Sequence, residues 1–156
     1  MSVKCMYDQA EVNIMEHTDT KKRVLFICTH NAARSQKAEG FLRTLYSNCY
    51  EAYSAGTEPT RLHPCAVKVM QEAGIDISTY RSKSLDEFDG QQFDYIVTLC
   101  ADAQEACPIF VGGTTYLHHA FDDPVQATST EEEMLTNFRD SRAQIKEFID
   151  LTFSCP

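Results

Sequence analysis

The chain has 156 residues, 43% of them hydrophobic and 24% charged, a balance that excludes a disordered or fibrous protein and fits one soluble globular domain with a sizeable core. Its formal net charge of −9 excludes the basic face that nucleic acid or an anionic membrane requires. A small anion stays possible, because distant carboxylates are screened over about 8 Å while a local cradle touches its ligand directly.

Residues 1–20 carry Lys4, Asp8, Glu11, Glu16 and Asp19 and no apolar core, so no signal peptide or membrane span is expected and the chain is assigned to the cytoplasm. They read as a flexible extension of a single catalytic domain over 21–156. Arg23 to Cys28 then reads as a strand, built on the apolar run Val24 to Ile27. It delivers Cys28 to the loop Thr29, His30, Asn31, Ala32, Ala33, followed by Arg34 and by Ser35, which opens an amphipathic helix over 35–46 with Ala38, Phe41, Leu42 and Leu45 on one stripe. Successive loop N–H groups and the helix N-terminus can face one tetrahedral oxyanion, Ala32 and Ala33 permit close approach, and Arg34 adds a charged contact. The same field favours the Cys28 thiolate, so the pattern Cys-x5-Arg-Ser joins an anion cradle to an activated nucleophile.

Tyr50 to Ser54 reads as a second strand, closed by Ala55-Gly56. Pro64 suits the first turn of a helix to Ala73, with Val67, Met70 and Ala73 inward and Gly74 as its stop. After a looser stretch over 76–90, Phe93 to Leu99 makes the third strand, and a short helix is expected from Cys100. In a helix Cys100 and Cys107 share a face about 10.5 Å apart along the axis. A disulfide needs Cα atoms within about 7 Å, so oxidation of this pair requires the segment to unwind, and a bistable redox element is expected. A lone Cys-x6-Cys pair is poor zinc spacing, and no metal site is predicted.

Thr114 to His118 makes the fourth strand, where His118 and His119 point to opposite faces, one packed and one exposed. Next comes Phe121-Asp122-Asp123-Pro124. Pro124 pushes Asp123 out of the helical region, which suits a carboxyl held over a pocket, protonated beside a bound oxyanion and able to donate to a leaving oxygen. The competing reading is an ordinary Asp-Pro turn. Thr130 and Glu133 form a capping-box pattern for a last helix whose Leu135, Phe138, Ile145, Phe148 and Ile149 recur at helical spacing.

Alternating strands and helices imply a three-layer α/β fold, a four-stranded parallel sheet flanked by helices. Ligands in such folds bind at the carboxyl ends of the strands, where Cys28, Cys100 and Asp123 all fall. Seven cysteines without a secretion signal point to a reducing compartment and to catalytic thiols more than to structural disulfides. Cys5, Cys49, Cys65 and Cys155 lack a chemical neighbourhood and read as bystanders.

Taken together, Cys28 to Arg34, Ser54-Ala55-Gly56, the run Val69 to Ser78, Val97 to Cys100, Cys107-Pro108 and Asp122-Asp123-Pro124 resemble the thioredoxin-coupled arsenate reductases built on the low-molecular-weight protein tyrosine phosphatase fold. The resemblance spans roughly Arg23 to Phe153. It implies that Cys28 attacks arsenate held by the loop amides and Arg34 while Asp123 protonates the departing oxygen. Cys100 then attacks the Cys28 sulfur, arsenite leaves, and Cys107 takes over the disulfide for reduction by thioredoxin, with no bound cofactor. Ser35 supports the thiolate, Asn31 braces the loop, and phosphate or sulfate can occupy the same place. Cys100 and Cys107 separate this reading from a plain low-molecular-weight phosphatase, the main alternative; a thiol sensor of metalloids or oxidants is a third. The chain departs from many relatives at His30 and Ala33, where they carry glycine and a further cysteine. Some relatives bind potassium near the loop: Asn31, Glu39 and Ser54 match that site, but Lys83 falls where an acidic ligand is expected, so little potassium dependence is expected here.

Overall fold

The computed structural model describes residues 20–101, 109–125 and 130–156. Strands β1 (Lys22–Cys28), β2 (Tyr50–Gly56), β3 (Phe93–Thr98) and β4 (Gly113–His118) form one sheet in the order β2-β1-β3-β4, every pair parallel. All four carboxyl ends therefore meet at one edge. The chain leaves β1 toward β2 on one side and returns to β3 on the other, so the order reverses at the carboxyl end of β1, the switch point where such sheets bind ligands.

Helices α1 (Arg34–Leu45), α2 (Pro64–Glu72) and α3 (Glu131–Thr152) pack against the face that carries Val24, Phe26 and Val97. The opposite face, with Leu25, Ile27 and Ile96, is covered by Phe110 and by Phe88 of the short 3-10 turn Leu85–Phe88. Alternation along β1 thus buries both faces, which is why its run is apolar throughout. Two expected details shift. The inner face of α2 is Ala66, Val69 and Met70, with Ala73 exposed, and Leu45 is exposed at the end of α1. Strand β2 runs on to Gly56 because its register continues to pair Ala55 with Ile27 and Gly56 with Cys28. The Thr130 hydroxyl accepts the Glu133 N–H at 3.1 Å and caps α3 as its sequence pattern predicts.

Residues 1–19, with Cys5, and residues 102–108, with Cys107 and most of the expected redox helix, lie outside the described residues. That helix does not begin at Cys100, since Leu99, Cys100 and Ala101 are not helical. His118 and His119 are both exposed, contrary to expectation, because β4 is an edge strand: His118 Nδ1 bonds the Thr98 hydroxyl at 2.7 Å and His119 stacks on Phe121.

The bystander reading of Cys49 and Cys155 is overturned: they form a disulfide with Cα atoms 5.7 Å apart. Folding brings them together because Phe153, 1% exposed, packs its ring against Phe26, Tyr50 and Tyr95 and carries the C-terminal residues back to the start of β2. The bridge closes a sequence separation of 106 residues at the sheet edge opposite Cys28. Cys49→Ser should lower stability by about 2–5 kcal/mol in a denaturant titration under oxidising conditions. Under full reduction the two proteins should unfold together.

Candidate active site

The loop 29–33 is held from outside by its own carbonyls. The Thr29, His30 and Ala32 oxygens accept the N–H groups of Glu58, Thr60 and His63 at 2.8, 3.2 and 2.9 Å. The Ser82 hydroxyl donates to the His30 and Asn31 oxygens, and Ala33 O accepts the Lys37 N–H in the first turn of α1. In a trans peptide the N–H points opposite to the C=O. Each carbonyl fixed outward therefore turns the next N–H inward, which aims the amides of His30, Asn31, Ala32, Ala33 and Arg34 at the loop's hollow. Helix α1 has no side-chain cap at Ala33 and no acidic residue in its first turn, so its N-terminal amides and positive dipole serve the same space.

Asn31 makes the curl possible. It is fully buried, with φ of 50°, a left-handed conformation that asparagine tolerates. Its Oδ1 accepts Gln36 Nε2 and the Lys83 N–H at 2.9 Å each. Its Nδ2 donates to Ser35 Oγ at 2.7 Å, and Ser35 Oγ lies 2.9 Å from Cys28 Sγ. With a lone pair occupied by Asn31, the Ser35 hydroxyl has its hydrogen free to point at the sulfur.

Cys28, Ala32, Ala33, Arg34 and Asp123 line one cavity of about 370 Å³. Arg34 is 3% exposed, and its Nη1 donates to the Phe121 carbonyl at 3.1 Å, which steadies the guanidinium from the loop that carries Asp123. Asp123 is half-buried and its Oδ1 accepts the Val125 N–H at 3.0 Å, so it sits both in an Asp-Pro turn and over the cavity. Cys100 is fully buried and does not line the cavity. Its position follows from register: Ile27 pairs with Thr98, and the Leu99 N–H bonds Ile27 O at 2.8 Å, so the chain passes beside Cys28 as it reaches Cys100. Cys65 is unbridged and half-buried, its thiol pushed up by burial first and then by Glu131.

Sequence reasoning missed the far wall: Thr60, Arg61 and His63 also face the cavity. His63 caps α2 by accepting the Cys65 N–H at Nδ1, 3.1 Å away, and packs on Phe138. Burial holds its imidazole below the usual range, with Asp123 opposing and Lys37 and Arg61 adding to the shift. The signal was present, since proline at the first helical position marks His63 as the cap.

Beneath the loop, Lys83 Nζ lies 3.5 Å from Ser54 Oγ and 3.9 Å from Glu39 Oε1, and Arg43 lies 3.7 Å from the same carboxylate. Burial pushes Glu39 up and Lys83 down, outweighing their mutual attraction in both. The ammonium thus sits between Ser54 and Glu39 and also donates to the Arg81 carbonyl at 3.1 Å, while Asn31 meets Lys83 only through its backbone N–H. No group of His, Cys, Asp and Glu suited to a metal ion occurs among the described residues.

Residues 23–150 match the low molecular weight phosphotyrosine protein phosphatase family. An arsenate reductase of Bacillus licheniformis is 42% identical over 130 residues, covering 83% of this chain and 94% of its own length. That of Bacillus subtilis is 41% identical over 133 residues, covering 83% and 96%. A solved arsenate reductase in the phosphate binding state superposes with a TM-score of 0.69 at 33% identity over 83% of this chain and 95% of that one. The thioredoxin-dependent arsenate reductase of Corynebacterium glutamicum superposes at 0.56, with 29% identity over 85% and 64%. By sequence, sheet order and loop, the chain belongs to the low molecular weight phosphotyrosine protein phosphatase family, alongside proteins named arsenate reductases.

Proposed function

We propose that the chain reduces arsenate to arsenite through Cys28, Cys100 and Cys107, with thioredoxin restoring the thiols. The observation that carries this reading is Cys100: a second, fully buried thiol at the carboxyl end of β3, beside the strand end that presents Cys28. Hydrolysis of a phosphate ester has no use for it.

Arsenate binds the inward amides of His30 to Arg34 and the Arg34 guanidinium; phosphate or sulfate competes for the same place. The Ser35 hydrogen bond suits a sulfur anion at Cys28, which attacks arsenic while Asp123 gives a proton to the departing oxygen, and water leaves. Cys100 then attacks the Cys28 sulfur: the S–S bond forms, the S–As bond breaks, and its electron pair stays on arsenic, which departs as arsenite. Cys107 attacks Cys100, freeing Cys28, and a thioredoxin dithiol reduces the resulting Cys100–Cys107 disulfide. The net reaction converts arsenate and reduced thioredoxin to arsenite, oxidised thioredoxin and water.

Phosphomonoester hydrolysis is the second reading, because Cys28, Arg34 and Asp123 suffice for it and a low molecular weight phosphatase of T. tengcongensis superposes with a TM-score of 0.61 at 27% identity. The described cavity wall, however, includes no Phe or Tyr against which an aryl ester would stack. The deciding experiment measures NADPH consumption with thioredoxin, thioredoxin reductase and arsenate beside aryl phosphate hydrolysis. Dominant hydrolysis with no arsenate-dependent NADPH use would overturn the reductase reading.

We further propose 21–156 as the catalytic unit and, through the thioredoxin coupling, the cytoplasm as the protein's location. No described helix is long and apolar enough to cross a membrane. With Lys83 among Glu39 and Ser54, replacing sodium by potassium at constant ionic strength should leave kcat/KM unchanged; marked activation by potassium would show that Lys83 does not fill that position.

A further inference from the structure

Lys37 is a charged side chain that the proposed chemistry leaves unused. It follows Arg34 by one turn of α1, is fully buried and faces α3. Its Nζ donates to the Ser141 hydroxyl at 2.7 Å and lies 4.9 Å from the centre of the Phe138 ring. Titratable and charged groups meet it from every neighbouring element: Arg34 on its own helix, Cys28 at the end of β1, Asp123 after β4, Arg142 on α3, and His63 ahead of α2. Burial, then Arg34, pull its pKa down to about 7, while Cys28 and Asp123 pull the other way and Arg142 adds to the lowering. A pKa of about 7 leaves Lys37 poised between ammonium and amine near neutral pH. A dianion settling beside Arg34 supplies the negative charge that favours the ammonium.

We propose that Lys37 is a positioning charge of the anion site: loading the loop with a tetrahedral dianion carries a proton from solvent onto Lys37 Nζ. This rests on the loop's being an oxyanion cradle. The proton has a route. Ser141, which accepts from Lys37, also lines a polar cavity of about 470 Å³ bounded by Asp122, Asp123 and Asp140, and so links the buried amine to the water side. No bond to the anion changes; the proton taken up offsets one of its two charges.

Sulfate is the probe, because it is a dianion without a proton of its own near neutrality, and Cys28→Ser removes the thiol as a proton acceptor. In Cys28→Ser protein, sulfate affinity should fall by up to about tenfold per pH unit above pH ~7.5, the slope expected when binding takes up one proton. Calorimetry in buffers of different ionisation enthalpy should register that uptake. Adding Lys37→Met should flatten the pH dependence and abolish the uptake while sulfate still binds, more weakly at about pH 7. Uptake that persists in the double variant would assign the proton to another group on the cavity wall, Asp123 or His63, and overturn the proposal. Sulfate binding without uptake in Cys28→Ser protein would overturn it too, leaving the cradle intact, whereas no sulfate binding at all would overturn the cradle itself. Should Lys37→Met not fold, the 15N shift of Lys37 Nζ reads the same event directly: sulfate must move its titration to higher pH, and an unmoved titration refutes the coupling.

Discussion

Cys100→Ser should stop thioredoxin-driven turnover of arsenate, by a factor of about 10³ or more, while aryl phosphate hydrolysis continues near its original rate. Serine changes the volume little, but a hydroxyl is a poor substitute for a thiolate in attacking the Cys28 sulfur, so the arsenic adduct can only return to arsenate. The anion loop should not notice, because Cys100 lies outside the cavity wall and the strand pairing beside it, Leu99 N–H to Ile27 O, is made by backbone. A buried hydroxyl without a new partner costs about 1–3 kcal/mol, so a denaturant titration should still find folded protein. Cys28→Ser should abolish both activities. Cys107→Ser should allow a single turnover and stall as a Cys28–Cys100 disulfide, visible by mass spectrometry of digested protein. Equal loss of both activities in Cys100→Ser would mean that this thiol holds the loop together and takes no part in a relay.

Gly56→Ala should lower arsenate turnover by about 10²-fold without removing any reacting group. A Cβ at Gly56 would meet Thr29 O at 2.6 Å, Asn31 N at 2.9 Å and the His30 carbonyl carbon at 3.0 Å. All three are backbone atoms of the loop, so no side chain can swing aside; the loop must move, and its inward amides lose their common focus. Overpacking of this kind costs about 1–3 kcal/mol of stability. Gly74→Ala is the control, because Gly74 has φ of +80° and nothing within 4 Å of the added atom. Its penalty is conformational, about 1 kcal/mol, and it should leave kcat/KM unchanged. If both variants behaved alike, the close approach of the loop to Gly56 would not be what holds its amides in place.

The sheet and the loop between β1 and α1 were legible in the chain because their signals are local. Val24 to Ile27 is apolar on both faces, Pro64 and Gly74 bracket α2, and Thr130 caps α3, each within a few residues of its effect. Features that depend on distant partners were not. Thr60, Arg61 and His63 reach the site only because N–H groups of this segment bond the carbonyls of Thr29, His30 and Ala32. Cys49 and Cys155 pair because Phe153 docks beside Tyr50, a contact that no spacing announces. Lys37 has the chemistry of a surface residue, and only the closeness of α1 to α3 buries it.

A cradle built from peptide N–H groups counts oxygen atoms and charge but is blind to the element they surround. In the proposed complex phosphate and arsenate would present the same face to His30, Asn31, Ala32 and Ala33, so equilibrium fit would give the protein little means of telling them apart. Under the proposed relay, the sorting would then fall to what each central atom does once it is attached to Cys28. Phosphorus has no accessible way to keep the electron pair when a second thiol pulls the sulfur away, and it can leave only to water; arsenic keeps the pair and is gone. On this view the buried Cys100 acts as a filter in time, reading reducibility where the loop reads only shape.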